Sequence, residues 1–351
     1  SERSRIRLAE QIMAKAAEPT SSDQGDNSTC NVTTIENRIY TREPHIAAKL
    51  VADLALSGEY TAADGTKLKM SRQNLLPYRD SEENNHRGDG HRTFAGQIFQ
   101  TAAVNWFYAG MATENHPAGK FEYRQGPSGA ELVYHGDARN LDEYVRDMLG
   151  KDAPIYANFI EGMISINNAL TGKDESKAFL THINDSTDSP SANHFSTPQE
   201  LETRIAELEK QGQLPAVLRV RVRNKLFGEK EAPIDGDGHV VLITGYTPGK
   251  NGAPGRFTLD NQYGNAEDHG PGKDISVEDV FSGTAYKPAT EWLDEFVEDI
   301  VKKEESTGKK VPDNVIRSKL LAANKTYRII WDSQTNLTPE QIKDREEFLG
   351  R

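Results

Sequence analysis

The stretch His239-Val240-Val241-Leu242-Ile243-Thr244-Gly245-Tyr246 decides how this chain is read. Its apolar residues run on almost without interruption, over a length that suits a central strand and is too short for a buried helix. The loop 235–238, Asp-Gly-Asp-Gly, leads into it, so a histidine stands at the mouth of the strand. Residues 256–260, Arg-Phe-Thr-Leu-Asp, predict the next strand, which ends in a turn at 261–264, Asn-Gln-Tyr-Gly. On the other side, 215–223 alternates, with Val217, Val220 and Val222 apolar, as a half-buried strand does. An amphipathic helix precedes it over 198–211, opened by Ser196 and Thr197 with Glu200 set for a capping box.

Further toward the N-terminus the period changes. Leu8, Ile12 and Met13 have roughly helical spacing within 1–17, and 18–29 is a polar loop. Val32, Ile35 and Ile39 recur at helix period from Cys30, so a helix is predicted to start at the cysteine. Pro44 interrupts it, and a second stripe through Leu50, Val51 and Leu54 runs to Gly58. Asp64-Gly65 within 60–70 signals a hairpin. Residues 80–92 and 184–196 read as polar loops, 94–111 as a buried helix, and 121–135 as a second hairpin about Gly126–Gly129. Helices are predicted near 140–149 and 155–170, then near 289–304, 312–323 and 338–349, with a strand at 327–331.

A helix-rich first half ahead of a strand-rich region is an α+β pattern. The expected division is 1–59, carrying the cysteine helix; 60–196, a largely helical region; 197–288, a strand-rich region; and 289–351, a C-terminal helical extension with one strand.

Composition narrows the function. With 36% hydrophobic and 27% charged residues among 351, the chain is of the soluble globular class. It has no run near the roughly 18 apolar residues that span a bilayer. A net charge of −12 argues against nucleic acid or an anionic membrane as partner, since both select basic surfaces. The single cysteine excludes an internal disulfide and a thiolate zinc centre. Asn27 and Asn31 begin glycosylation-type sequons on either side of Cys30. A glycan there would smother a working thiol, so the sequons read as coincidental, and the origin as bacterial or cytosolic.

Nucleophilic attack by sulfur requires a thiolate, and a free thiol's pKa near 8.5 must be lowered by a helix N-terminus or a nearby imidazole. Cys30 stands where a loop meets a helix. His239 stands at a strand mouth, and Asn261 at the end of the adjacent strand, on the same edge of the sheet. An Asn side chain that accepts the imidazole N–H would fix the ring and its tautomer. Asp260, Asp235 and Asp237 are the alternative partners for His239. Asp260 points to the opposite face of a regular strand, which favours Asn261.

These residues resemble the papain-like cysteine peptidases, whose chain order is Gln, Cys, His, Asn. Gln24 lies at the family's offset before Cys30 and is followed by Gly25. The 239–246 run is similar to the family's histidine strand, and Asn261-Gln262-Tyr263-Gly264 to its Asn-Ser-Trp-Gly. The Cys-Gly-Ser-Cys-Trp signature is replaced by Asn27-Ser28-Thr29-Cys30-Asn31-Val32, which suits a distant, bacterial branch. The resemblance implies a helical lobe and an antiparallel β lobe or barrel carrying His239 and Asn261, with 60–196 as a large insertion between the lobes. It also implies Cys30 as nucleophile, His239 as base, Asn261 as its orienter, and Gln24 with the Cys30 N–H as oxyanion hole. The expected reaction is peptide or isopeptide cleavage on a protein or peptide substrate, without cofactor or metal. The same residues would serve transglutaminase-type acyl transfer or deamidation, and the remaining reading is a non-catalytic α+β binding protein with Cys30 as core filler. His86, His91 and Asp89, and the oxygen-rich 231–239 and 260–269, read as solvated loops rather than metal ligands, since no calcium-loop pattern is present.

Overall fold

The apolar spacing near the N-terminus becomes three helices: α1 (Glu2–Ala17), α2 (Cys30–Arg42) and α3 (Pro44–Ser57). They belong to a computed structural model that describes residues 2–24, 27, 29–78, 92–110, 121–126, 129–135, 150–151, 160–183, 191–221, 226, 238–250, 253–261 and 274–284. Pro44 opens α3 because its missing N–H is one that a first turn leaves unused, and Gly58 ends it at φ +75°, a left-handed cap that glycine adopts freely. Strands β1 (Glu59–Thr61) and β2 (Lys67–Lys69) pair antiparallel around Asp64-Gly65, with Gly65 at φ +86°. Helix α4 (Phe94–Gly110) follows, then the hairpin β3 (Phe121–Gly126) and β4 (Gly129–Tyr134), extended by β5 (Gly150–Lys151).

The second half of the fold begins with α5 (Ile160–Thr171) and β6 (Phe179–His182), followed by β7 (Asn193–Phe195), α6 (Pro198–Lys210) and β8 (Ala216–Arg221). It continues with β9 (Gly238–Thr247), β10 (Arg256–Asp260), β11 (Asp274–Ser276) and α7 (Val277–Ser282). The capping box of α6 forms as its sequence predicts: Glu200 N–H donates to Thr197 Oγ1 at 3.1 Å, and Glu200 Oε2 accepts from Ser196 N–H at 2.7 Å.

Six strands make one sheet in the order β11-β10-β9-β8-β6-β7. It is mixed rather than wholly antiparallel: β6 pairs parallel with both β7 and β8, and the other pairs are antiparallel. The fold is therefore α+β, with seven helices and a six-stranded mixed sheet among the described residues. β6 and β7 come from within the segment expected as an insertion, so the boundary placed at residue 196 falls inside the sheet's own run of strands. The same pairing makes β8 an interior strand. Ala216, Val217 and Leu218 are all buried there, although half-burial was expected, so both faces of the sheet are covered at this point.

β9 is central as predicted. His239, Val240, Val241, Leu242 and Ile243 are all buried, and five consecutive buried residues on a strand mean that both its faces are covered. Helix α2 packs on it.

α2 is unusual for a buried helix. Every residue from Asn31 to Tyr40 is buried, yet six of these ten are polar or charged. Ile35 and Ile39 each contribute roughly 1.5–3 kcal/mol by burial. The polar residues are tied outward to the rest of the fold. Asn37 Nδ2 donates to Asp260 Oδ2 at 3.0 Å, and Arg38 donates to the Gln213 and Pro215 carbonyls and pairs with Glu175 at 3.1 Å. Arg42 pairs with the other Glu175 oxygen at 3.0 Å. Thus α2 is fastened to β10, to the start of β8 and to the segment ahead of β6.

The expected elements at 140–149, 261–264 (beyond Asn261), 289–304, 312–323, 327–331 and 338–349 lie outside the described residues, as do the loops 80–91 and 184–190. Among the described residues no helix is long and apolar enough to cross a membrane.

Candidate active site

The β9 and β10 strands run antiparallel, with Asp260 opposite Leu242. This brings the end of β10 to the edge at which β9 begins. His239 Nε2 and Asn261 Oδ1 are 2.7 Å apart, both residues buried at 1% and 8% exposure. An amide oxygen only accepts, so Nε2 carries the proton and Nδ1 is the basic nitrogen of the neutral ring. Asp260 is used elsewhere, as the acceptor for Asn37 of α2. Asn261 is the first residue past β10; Asp260, which closes that strand, bonds α2, and Asn261 bonds the histidine. Asp235 and Asp237 lie outside the described residues.

Cys30 is the first residue of α2 and is partly buried against the core. The helix it opens packs on β9, the strand that His239 opens. Asn31, next to it, is buried within the helix at 1% exposure, and Asn27 is buried at 9%, so neither sequon presents an accessible acceptor in the folded chain.

Gln24 is buried in the segment before α2, and its Oε1 has no hydrogen-bond partner among the described residues. The same holds for Asn261 Nδ2. Each of these two buried amides thus has one polar atom, an acceptor on Gln24 and a donor on Asn261, without a partner among the described residues, an exception to the usual pairing of buried polar atoms.

Within 18–29, expected as a polar loop, Ser22, Asp23, Gln24, Asn27 and Thr29 are all buried. Their partners here come from α1 and α4, both of which also hold Glu36 of α2. Lys15 Nζ of α1 donates to Ser22 Oγ at 2.6 Å and pairs with Glu36 of α2 at 3.1 Å. Gln100 of α4 donates through Nε2 to the Asp23 carbonyl at 2.9 Å and to Glu36 Oε2 at 3.1 Å, and accepts from Thr29 Oγ1 at 3.0 Å. Thr29 is the N-cap of α2, but its side chain makes no capping hydrogen bond. A Thr cap contributes about 0.5–2 kcal/mol, and here the hydroxyl goes to Gln100 instead.

None of Gln100, Glu36, Lys15 or Thr29 was singled out from the sequence. A signal existed for Gln100: with Gln97 it is a polar residue in an otherwise apolar stretch, Phe94-Ala95-Gly96-Gln97-Ile98-Phe99-Gln100, and a buried amide must find partners.

No group of three or more His, Cys, Asp or Glu side chains that could hold a metal ion occurs among the described residues. His86, Asp89, His91, Asp268 and His269 lie outside them. No family model, no curated protein and no solved structure matches this chain.

Proposed function

We propose that the chain is a cysteine hydrolase of papain-like architecture that cleaves peptide or isopeptide bonds, with Cys30 as nucleophile, His239 as base and Asn261 as the residue that orients the imidazole. The observation that carries this reading is the buried 2.7 Å bond between His239 Nε2 and Asn261 Oδ1, formed at the edge of the strand against which the cysteine's helix packs. A hydrogen bond of that kind leaves the other ring nitrogen to take a proton from a thiol. The position of Cys30 at the start of a 13-residue helix adds the partial positive charge that favours a thiolate.

In the reaction, His239 takes the thiol proton and the Cys30 sulfur forms a bond to the carbonyl carbon as the C=O electron pair moves onto oxygen. The Cys30 N–H and Gln24 would hold that oxyanion, each such donor being worth roughly 3–4 kcal/mol. The pair returns, the C–N bond breaks, and the amine leaves with the proton held by His239. Water then attacks the thioester and gives the acid and the free thiol.

The test is mass spectrometry of the chain treated with p-nitrophenyl acetate. The expected result is one transient acetyl group on Cys30 in the wild type, none on Cys30→Ser, and acylation slowed by at least about a thousandfold in His239→Ala. Failure to label Cys30 in the folded wild type contradicts the proposal. Adding a primary amine separates hydrolysis, which yields acetate, from acyl transfer, which yields the acetamide.

A further inference from the structure

We infer that Gln100 is a positioning residue for this site: its side-chain amide holds the two ends of the 23–29 segment at a fixed separation, and so sets Gln24 against the backbone of Cys30. The inference rests on the cysteine-hydrolase reading and extends it to a residue 70 positions beyond the nucleophile in sequence.

The geometry is specific. Gln100 is fully buried, and it bonds the residue immediately before Gln24 and the residue immediately before Cys30. The Asp23 carbonyl accepts from Nε2, and the Thr29 hydroxyl donates to Oε1. One planar amide therefore spans both ends of the segment. Its own orientation is set by Glu36 Oε2, which accepts from the same Nε2, and Glu36 is in turn paired with the buried Lys15. A carboxylate only accepts, so it admits the NH2 end of Gln100 and excludes a flipped amide. Lys15 also donates to Ser22, which anchors the chain one residue further back.

The Thr29 hydroxyl shows that the arrangement serves something other than helix stability. Placed at the N-cap, it would ordinarily bond the first turn of α2, and it is turned to Gln100 instead. Oxyanion stabilisation depends on donors fixed in advance of the reaction, at the place where charge develops. Asp23 and Thr29, both held by Gln100, supply that fixity for a donor on Gln24 and a donor at Cys30.

Two reagents separate positioning from mere structure. Iodoacetamide alkylates a thiolate without forming an oxyanion, whereas p-nitrophenyl acetate passes its acetyl group to sulfur through one, as p-nitrophenolate leaves. In Gln100→Leu, acetyl transfer is expected to fall about a hundredfold, the scale of a misplacement of about 1 Å. The alkylation rate and its pH profile are expected to stay as in the wild type. Gln24→Ala should show the same selective loss, and the Gln24→Ala/Gln100→Leu double variant should be no slower than either single, because both remove one function. If Gln100→Leu does not fold, Thr29→Val removes the hydroxyl at nearly constant shape and should give the same selective loss, with Thr29→Ser recovering acetyl transfer. Wild-type acetyl transfer in the folded variant overturns the inference. So does a parallel loss of alkylation and acetyl transfer, which marks a structural role, or a double variant whose losses multiply. A wild type inert to both reagents is a different failure: it removes the cysteine-hydrolase reading, and the inference with it.

Discussion

Two of the buried polar contacts, one on α2 and one at the edge of the sheet it packs on, differ in kind. At the C-terminal end of the helix, Glu175 takes three donors: Arg38 Nη2 at 3.1 Å, Asn167 Nδ2 at 3.0 Å and Arg42 Nη2 at 3.0 Å. At the sheet edge, His239 and Asn261 share one bond between groups that are uncharged when the imidazole is neutral. The first is a clasp of charges, and each partner depends on the others to be tolerable inside the protein. The second has little charge to compensate, and it can be cut with modest cost to the fold. What it controls is the direction of a ring. Buried polar contacts therefore divide here into one that holds the helix and one that aims a side chain.

The largest effect is expected from breaking the clasp. Glu175→Gln leaves the Arg38 guanidinium buried beside Arg42 without its counter-charge, a change that costs about 3–5 kcal/mol. Urea unfolding should show it directly. Burial pushes the Arg38 pKa down to about 10, with Glu175 pulling the other way, so the guanidinium is charged at neutral pH in the wild type.

The clasp also predicts an acid response. Burial raises the Glu175 pKa, but Arg38, Asn167 and Arg42 together outweigh burial and hold it below its ordinary 4.5. A carboxylate with a lower pKa folded than unfolded contributes its full stability above the unfolded value, and that contribution is lost as pH falls through the folded one. Stability of the wild type should therefore decline on acidification below about 4.5, and Glu175→Gln should show a shallower decline over the same range.

Cutting the second contact should move activity more than stability. Asn261→Ala frees the imidazole to rotate, and acetyl transfer to Cys30 is expected to fall about a hundredfold, with a stability loss of about 1–3 kcal/mol from the unpaired ring N–H, smaller than that of Glu175→Gln. A large loss of stability with activity intact would merge the two contacts into one class. The smallest effect calibrates the first: Lys49 and Asp53 form an exposed pair one helical turn apart in α3, and Lys49→Ala should cost only about 0.3–0.5 kcal/mol.

The sequence showed some of this and hid the rest for physical reasons. The helix start at Cys30 was legible because Val32, Ile35 and Ile39 keep helical period, and β9 because its apolar run is long enough to count. The preference for Asn261 over Asp260 followed from strand alternation alone, and the two residues do face different partners. β6 and β7 were missed because four and three residues are too few for a period, and their parallel pairing to each other and to β8 is a non-local fact. The burial of 22–29 was hidden for a related reason. Polarity reads as solvation unless a partner is known, and Gln100 stands 77 residues from Asp23 and 71 from Thr29. Local pattern reports what a residue prefers, and only the fold reports what it meets.

The most direct measurement is the rate of iodoacetamide alkylation of Cys30 as a function of pH, in the wild type and in His239→Ala. An imidazole that takes the thiol proton, with the helix N-terminus assisting, predicts an apparent thiol pKa well below 7 in the wild type, rising toward about 8.5 when His239 is removed. A wild-type value at or above about 8.5, unmoved by the loss of His239, would contradict the account.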